Sequence, residues 1–299
     1  FATNPLTEEG FQLGKKLFYD GRLSKDGNFP CASCHQQFAA FATYDHDLSH
    51  GYNNTFTTRN APGLFNLAWM PKFHWDGGVN HIEVQPLAPI TAQNEMAETV
   101  ENVLNKLRAD TAYPNKFKAA FGNTDITSQR MLKALAQFMG TIISSNSKYD
   151  KVLRGEAKFT YAEENGYTTF KAKCAACHQE PLFTDNSMRN NGLAINDYLK
   201  DYGRMKITGK PEDSLKFKVP SLRNVAVSFP YMHDGRFKTL EEVVEHYNSG
   251  VKMSSTVSPL IVPTIAKGLG LSAQDKTDLV NFLKTLSDQK FLTNPEYAQ

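Results

Sequence analysis

The chain of 299 residues lacks any apolar run that approaches the roughly 20 consecutive residues needed to span a membrane. It also lacks a basic stripe, because acidic and basic residues are interspersed and the formal net charge is only +2. A nucleic-acid-binding surface would need clustered lysines and arginines. Four cysteines occur, all in two close pairs, so no cysteine is left over for a disulfide framework. These absences argue against a membrane span, a nucleic-acid partner and a disulfide scaffold.

Each cysteine pair is followed directly by a histidine, in CASCH (31–35) and CAACH (174–178). The pattern C-x-x-C-H is the signature of covalent c-type haem attachment. Both thiols bond to the haem vinyl groups, and the adjacent histidine becomes the proximal iron ligand. One copy alone could be a redox pair or half of a zinc site, but two complete copies favour two haems. The predicted attachment residues are Cys31, Cys34, Cys174 and Cys177, and the predicted proximal ligands are His35 and His178.

Related segments follow the two motifs. Residues 57–78 read TTRNAPGLFNLAWMPKFHWDGG, and residues 219–237 read VPSLRNVAVSFPYMHDGRF. Both contain an R-N step, aromatic residues and a D-G turn. The shared order predicts an internal duplication of a one-haem module. In this alignment Arg59-Asn60 corresponds to Arg223-Asn224, and Asp76-Gly77 corresponds to Asp234-Gly235.

Helical patterns dominate the chain, whereas strand signals are few. Apolar residues recur at helical spacing, and several of these segments begin with Thr or Ser and carry acids in the first turn. The predicted helices are 7–20, 97–110, 128–144, 162–178, 239–250 and 272–287. We therefore expect a mainly α protein with two cytochrome c-type domains, each with one covalent c-type haem, at residues 1–150 and 151–299.

Several motifs together resemble those of the bacterial dihaem cytochrome c peroxidase family, which includes the MauG-type enzymes. They are the two haem motifs, RNAPGLFN, FHWDGG, PLAPITAQNEM, CHQEPLFTDN and LRNVAVSFPYMHDGRF, and they extend over nearly the whole chain. The resemblance implies a peroxidatic haem in the N-terminal domain (1–150) and an electron-transfer haem in the C-terminal domain (151–299). It also implies a bound calcium ion and a tryptophan between the haems.

The resemblance assigns roles to residues near the first haem. Trp75 matches the inter-haem tryptophan, an electron relay, although a core-packing role stays open for it; Trp69 is expected to be an ordinary core residue. Glu95 matches the distal glutamate, which would act as general base and acid on peroxide. By itself it would instead be a helix-cap acid. Gln85 and Pro89 fall where the family has other distal-pocket residues.

Calcium ligation is also implied by the resemblance. The family uses an asparagine side chain, matched by Asn60, together with backbone carbonyls matched by Ser228 and Pro230. Serine replaces the more familiar threonine at position 228. A carbonyl ligand tolerates that change, and oxygen ligands suit calcium.

The sixth iron ligands are left open by the sequence. On the first haem, His50 is the better match to the family's removable histidine, with His46 or an open site as alternatives. On the second, Tyr247 lies 14 residues after His233, where peroxidases of the family have methionine and MauG-type enzymes have tyrosine. Met253, His246 or no ligand are the alternatives for that haem.

The expected function is reduction of hydrogen peroxide to water with electrons from a small periplasmic donor, a cytochrome c or a cupredoxin. The alternatives are MauG-type oxidation of a protein substrate and a dihaem electron carrier without catalysis. Covalent haem implies export, so we expect a periplasmic protein, and the opening FATNPLTEEG is typical of a mature chain without its signal peptide. Family members are often homodimers, which makes a homodimer the expectation for this chain as well.

Overall fold

The computed structural model describes residues 2–261 and 268–299, and its chain divides into two compact units. The first unit comprises Phe1–Pro71, Val79–Ile143 and Leu292–Gln299. The second comprises Lys72–Gly78 and Ser144–Phe291. Each unit therefore includes a segment from the other half of the sequence. Division into haem domains at residue 150 stays a prediction.

Five helices of the described chain lie in the first unit: α1 (Glu8–Phe18), α2 (Leu87–Thr91), α3 (Val100–Ala109), α4 (Tyr113–Phe121) and α5 (Ser128–Thr141). The three longest begin after a threonine whose hydroxyl accepts a backbone N–H of the first turn, namely Thr7, Thr99 and Thr127. Such caps satisfy N–H groups that have no partner within the helix. The predicted helices at 7–20, 97–110 and 128–144 are confirmed within a few residues at each end.

The second unit is also mainly helical. Its helices are α6 (Lys148–Leu153), α7 (Tyr161–Lys173), α8 (Met205–Thr208), α9 (Leu240–Glu245) and α10 (Ala273–Lys284), and α11 (Gln289–Leu292) follows them. A π-helical turn, His246–Gly250, continues α9. Two short strands, β1 (Met188–Arg189) and β2 (Phe217–Lys218), pair antiparallel. The mainly α prediction is confirmed. No helix in residues 2–261 and 268–299 is long and apolar enough to cross a membrane.

Each unit is built on one close crossing of two helices. In the first unit α1 packs against α5, and a Cβ added at Gly14 would lie 2.0 Å from the carbonyl oxygen of Ala134. In the second α7 packs against α10, and a Cβ at Gly166 would lie 1.9 Å from the carbonyl oxygen of Asp278. Only glycine permits backbones to approach this closely. The same solution in both units supports the predicted duplication.

The structure corrects the alignment of the two copies. Asn66 and Asn224 both have a left-handed backbone, with φ of 54° and 58°, and each precedes a 3-10 turn. Their amides donate to equivalent carbonyls after α5 and α10, Asn66 to Ile142 at 2.8 Å and Asn224 to Leu286 at 3.0 Å. Phe65-Asn66, rather than Arg59-Asn60, is therefore the counterpart of Arg223-Asn224.

The D-G turns of the two copies do correspond. Gly77 and Gly235 have φ of 63° and 67°, and both lie 11 residues after the left-handed asparagine. The two R-N steps misled the alignment because the feature shared by the two copies is the left-handed asparagine, whereas the residue before it is Phe65 in one copy and Arg223 in the other. With the corrected register, Trp75 is the counterpart of His233.

Candidate haem sites

A cavity of about 590 Å³, counting its open mouth, lies beside the first C-x-x-C-H motif. Apolar side chains such as Phe18, Leu64 and Met139 contribute to its walls. The cavity brings together seven residues that the sequence assigned to this site: Cys31, Cys34, His35, His50, Gln85, Pro89 and Glu95.

The first motif folds as a tight turn. The amides of Cys34 and His35 both donate to the carbonyl of Cys31, at 3.2 and 3.0 Å. The His35 ring donates from Nδ1 to the carbonyl of Phe41 at 2.8 Å, because a carbonyl can only accept. The lone pair of the ring is then on Nε2, and a carbonyl partner of this kind is usual for metal-binding histidines.

The second motif repeats this turn directly after α7. The amides of Cys177 and His178 donate to the carbonyl of Cys174, at 3.1 and 3.0 Å. The His178 ring donates from Nδ1 to the carbonyl of Phe183 at 3.1 Å. Burial lowers the pKa of His178, which favours the neutral imidazole that binds metals.

The cysteines of both motifs are free thiols in surroundings that suit a porphyrin. Burial raises the pKa of Cys31 and of Cys174 to about 12 in each case. Such a shift marks an apolar environment that disfavours the thiolate. Paired thiols and an oriented histidine at both motifs, with apolar walls at the first, fit covalently attached haem.

Glu95 is a half-buried carboxyl group on the cavity wall. Burial raises its pKa. The loop that contains Gly51 and Tyr52 holds the Glu95 backbone, because the amide of Tyr52 donates to the carbonyl of Glu95 at 2.7 Å. A Cβ added at Gly51 would lie 2.8 Å from the Cα of Glu95, so this loop needs glycine for the approach. The carboxyl group therefore faces the haem motif from a fixed backbone.

The two histidines of the 42–63 loop differ in position. His50 lines the cavity, and its Nδ1 bonds to Oδ1 of Asn54 at 2.8 Å. Because that amide oxygen only accepts, Nδ1 is the donor and the ring lone pair is on Nε2. His46 is exposed, and its Nδ1 bonds to the carbonyl of Tyr44 at 3.1 Å. The geometry favours His50 over His46 as a removable ligand, which stays a prediction.

The stretch after α9 holds the candidate ligands of the second haem. Tyr247 is half-buried, and its phenol oxygen lies 3.4 Å from the amide nitrogen of Asn191. Burial raises the pKa of Tyr247, and negative charge on Cys177 and Cys174 would raise it further, which places the phenol near the second motif. Met253 is 64% exposed, so its sulfur is not enclosed with these residues.

His246 is occupied by another contact. Its ring is buried, and its Nε2 bonds to the carbonyl of Asn191 at 3.2 Å. Burial lowers the pKa of His246, so the ring is held neutral as a donor to that carbonyl. This contact gives His246 a packing role and supports Tyr247 as the ligand.

The Trp75 segment belongs to the second unit. Trp75 is half-buried, and its carbonyl accepts the amide of Lys218 at 2.7 Å. The Arg204 guanidinium donates to the carbonyls of Asp76 and Gly77 at 3.0 and 2.7 Å. Trp69 is 54% exposed, so the expectation that it would be an ordinary core residue is wrong. It lies at the end of a 3-10 turn of the first unit, Leu67–Trp69, in which Leu67 is the buried residue.

The predicted calcium ligands lie in different units. Asn60 is buried in the first unit, where its Nδ2 donates to the carbonyls of His46 and Asp47 at 3.3 and 3.1 Å. Ser228 and Pro230 belong to the second unit. In the described part of the chain, no group of three or more His, Cys, Asp or Glu could hold a metal ion. A site of amide and backbone oxygens would not form such a group, and calcium stays a prediction.

Sequence reasoning missed Asn191 and Met232. The amide nitrogen of Asn191 lies 3.6 Å from the sulfur of Met232 and 3.4 Å from the phenol of Tyr247. Met232 directly precedes the histidine of the H-D-G motif, and this was the available signal for it. Nothing in the sequence marks Asn191, because asparagine is common in loops.

Comparisons with known proteins agree with this geometry. Residues 8–158 match the family model described as di-haem cytochrome c peroxidase, and residues 163–287 match the one described as cytochrome c. The methylamine utilization protein MauG of Methylorubrum extorquens is 36% identical over 95% of this chain and 79% of its own length. Cytochrome c551 peroxidase of Nitrosomonas europaea is 36% identical over 82% of this chain and 74% of its own length.

Among solved structures, a MauG-like protein associated with microbial copper homeostasis has a TM-score of 0.92 and 35% identity, covering 100% of this chain and 95% of that one. The diheme peroxidase BthA from Burkholderia thailandensis has a TM-score of 0.83 at 22% identity, covering 97% and 88%, and shows a similar fold. Two cytochrome c-type domains and two haem sites are thus supported by both sequence and structure.

Proposed function

Because the chain belongs to the di-haem cytochrome c peroxidase family, which includes MauG, and is an oxidoreductase of that kind, we propose that it reduces hydrogen peroxide: H₂O₂ + 2 e⁻ + 2 H⁺ → 2 H₂O. The observation that carries the proposal is Glu95, a half-buried carboxyl group on the wall of the cavity that contains Cys31, Cys34 and His35. A simple electron carrier needs no acid in that place.

Haem, when bound, supplies one-electron chemistry and an iron site for a peroxide oxygen. Cys31 and Cys34 would hold the first haem by thioether bonds, with His35 as proximal ligand. Cys174, Cys177 and His178 would hold the second in the same way. The carbonyls of Phe41 and Phe183 orient the two proximal rings.

Glu95 would move the proton that peroxide cleavage requires. Its carboxylate accepts the proton from the peroxide oxygen nearer the haem and returns it to the far oxygen, which leaves as water. A carboxyl group whose pKa is raised by burial is suited to both halves of this transfer. Gln85 and Pro89 line the same cavity and would orient peroxide and limit the space around it.

Other residues would control when the site opens and how electrons arrive. His50 would be the removable ligand of the first haem, and Trp75 would relay electrons. Tyr247 would be the sixth ligand of the second haem, which receives electrons from a small cytochrome c or cupredoxin. Asn60 with the carbonyls of Ser228 and Pro230 would bind calcium. We place this enzyme in the periplasm, as a homodimer.

MauG-type oxidation of a protein substrate is the second candidate, and Tyr247 is the observation that favours it. A tyrosinate ligand stabilises ferric iron and lowers its reduction potential, in contrast to methionine. Relatives named as peroxidases and relatives named MauG match the chain at the same identity of 36%. The donor or substrate therefore has to be found by assay.

The first test is the substitution Glu95→Gln, which keeps the shape of the side chain but cannot accept a proton. We expect kcat for peroxide reduction to fall by about 10²–10⁴, the usual contribution of general acid–base catalysis. Covalent haem content should not change. Glu101→Gln, on the exposed first turn of α3, is the matched control and should be close to wild type. Wild-type turnover by the Glu95→Gln protein would overturn the proposal.

The second test separates the two candidates. Peroxide reduction is measured with a ferrous cytochrome c and with a reduced cupredoxin, starting from fully oxidised and from pre-reduced enzyme. A peroxidase should oxidise two donor molecules for each peroxide. If neither donor is consumed while peroxide still reacts with the protein, the MauG-type function is favoured. If His50 is a removable ligand, His50→Ala should make the two starting states equally active.

A further inference from the structure

The segment Asn190–Gly192 is a rigid support next to the second candidate haem site. Asn190 is 1% exposed, and its side-chain amide nitrogen donates to the hydroxyls of Ser254 and Thr256 at 3.0 and 2.9 Å. The amide of Gly192 donates to Oδ1 of Asn190 at 2.8 Å. The carbonyl of Gly192 in turn accepts the amide of Lys252 at 2.7 Å. Asn191 lies at the centre of this support, so its position is fixed from both sides.

The orientation of the Asn191 side chain follows from its contacts. Its Oδ1 accepts the backbone N–H of Leu193 at 3.3 Å, so the amide nitrogen must be on the other side. That nitrogen lies 3.4 Å from the phenol oxygen of Tyr247 and 3.6 Å from the sulfur of Met232. An amide nitrogen can only donate, and its two hydrogens match two acceptors.

The backbone of Asn191 holds the same region from a second direction. Its carbonyl accepts Nε2 of His246 at 3.2 Å, and His246 directly precedes Tyr247 in the π-helical turn. Asn191 thus contacts two consecutive side chains. Its backbone carbonyl bonds to His246, and its side-chain amide bonds to Tyr247. π-Helical turns are frequent at functional sites, and second contacts to a ligand commonly orient it and tune its metal.

We propose that Asn191 is a positioning residue that fixes the Tyr247 phenol and, by donating to its oxygen, raises the reduction potential of the second haem. The inference rests on the proposed ligation of that haem by Tyr247. A donor on the phenolate oxygen withdraws electron density from it, and a weaker anionic ligand stabilises ferric iron less. Asn191 therefore opposes the lowering of potential that tyrosine ligation brings.

The test is a spectroelectrochemical titration of both haems in the full-length holoprotein. Asn191→Leu has similar volume but no donor. Asn191→Asp keeps an oxygen for the Leu193 amide and replaces the donor with an acceptor. In both variants we expect the potential of the second haem to fall, by about tenfold in the ferric–ferrous equilibrium, or about 59 mV for one electron. The potential of the first haem should not change, and it serves as the internal control.

Tyr247→Phe and the double variant Tyr247→Phe/Asn191→Leu complete a cycle. If Asn191 acts through the phenol oxygen, Asn191→Leu should no longer shift the potential in the Tyr247→Phe background. Suppose that Tyr247→Phe alters the potential and the ferric spectrum of the second haem. If Asn191→Leu and Asn191→Asp then leave that potential unchanged, the inference about Asn191 is overturned. If Tyr247→Phe alters neither, tyrosine ligation is wrong and the inference fails with it. A spectrum in which both haems are retained shows that each variant has folded.

Discussion

The two haem modules share a helical framework and differ in the side chains near each C-x-x-C-H motif. Both have a helix crossing at a glycine, a C-x-x-C-H turn and a proximal histidine that donates to a backbone carbonyl. In the first module a cavity with the Glu95 carboxyl group faces the motif. In the second, the phenol oxygen of Tyr247 lies 3.4 Å from the side-chain amide nitrogen of Asn191. The same framework therefore carries a cavity lined by a carboxyl group in one module and a tyrosine bonded to an asparagine in the other.

A second difference lies in the core of each module. Arg223 of the second module is buried and forms two hydrogen bonds to the Asp150 carboxylate, at 2.9 and 2.8 Å. Its counterpart in the first module is Phe65, which is buried as an apolar side chain. Equivalent positions thus use an ion pair in one copy and hydrophobic contact in the other. A substitution at one of these positions should therefore change the stability of one module and not of the other.

Loss of one haem should have the largest effect. Cys31→Ala with Cys34→Ala should leave one covalent haem per chain and abolish peroxide turnover, because the cavity of Glu95 loses its cofactor. Cys174→Ala with Cys177→Ala should also leave one haem, but that haem lies in the first module, so peroxide should still react once with pre-reduced protein. Pyridine haemochrome spectra and mass spectrometry count the haems. Two haems in either variant would contradict the assignment.

Breaking the Arg223–Asp150 pair should destabilise the second module strongly. Asp150→Ala leaves a buried guanidinium without a counter-charge, which costs about 3–5 kcal/mol. Phe65→Leu at the equivalent place should cost less, since it keeps an apolar side chain and leaves no buried charge unpaired. Urea unfolding of both variants measures the two free energies. If both variants lose the same free energy of unfolding, the second module depends no more on its ion pair than the first module depends on Phe65.

The same pair gives a pH dependence of known sign. Burial acts to raise the pKa of Asp150, but hydrogen bonds from Arg223 and Ser147 outweigh it and hold the pKa below its ordinary value. The folded pKa is therefore lower than the unfolded one, about 3.9. The stabilisation is present above that value and is lost as the pH falls through the folded pKa. The difference between wild type and Asp150→Ala should shrink between pH 6 and about pH 3 in unfolding experiments.

The helix crossings should show the most symmetrical effect. Gly14→Ala and Gly166→Ala each force a methyl group against a backbone carbonyl, so each should cost about 1–3 kcal/mol through overpacking. Gln12→Ala and Thr168→Ala, on exposed positions of α1 and α7, should stay within about 0.5 kcal/mol of wild type. Thermal unfolding monitored by haem absorbance provides the comparison. A large effect in one module only would count against equivalent packing.

Helices and haem motifs were the features best predicted from the sequence. Caps such as Thr7 and Thr127 are local, because the capping hydroxyl contacts an amide three residues away. The haem motif is also local, since one turn presents all three groups. The family resemblance supplied Glu95 and Tyr247, which no local pattern would have distinguished from a surface acid and a core aromatic.

Long-range contacts explain what the sequence could not predict. Asn191 acquires its place through residues 55 and 56 positions away, His246 and Tyr247. The sequence predicts one continuous helix over 239–250, whereas the structure ends α9 in a π-helical turn, because apolar spacing gives no sign of the extra residue in that turn. The alignment of Arg59-Asn60 with Arg223-Asn224 was wrong because it rested on two identical residues. The left-handed backbone that identifies the true counterpart cannot be seen in the sequence.

The exchange of segments between the units has a consequence for biosynthesis. The Tyr297 hydroxyl donates to the carbonyl of Thr141 at 2.8 Å, and the Tyr19 hydroxyl donates to the backbone carbonyl of Tyr297 at 2.6 Å, all within the first unit. Here the first unit obtains these contacts only when residues 292–299 have been made. The N-terminal part of the chain therefore cannot complete the packing of the first unit without its C-terminal segment.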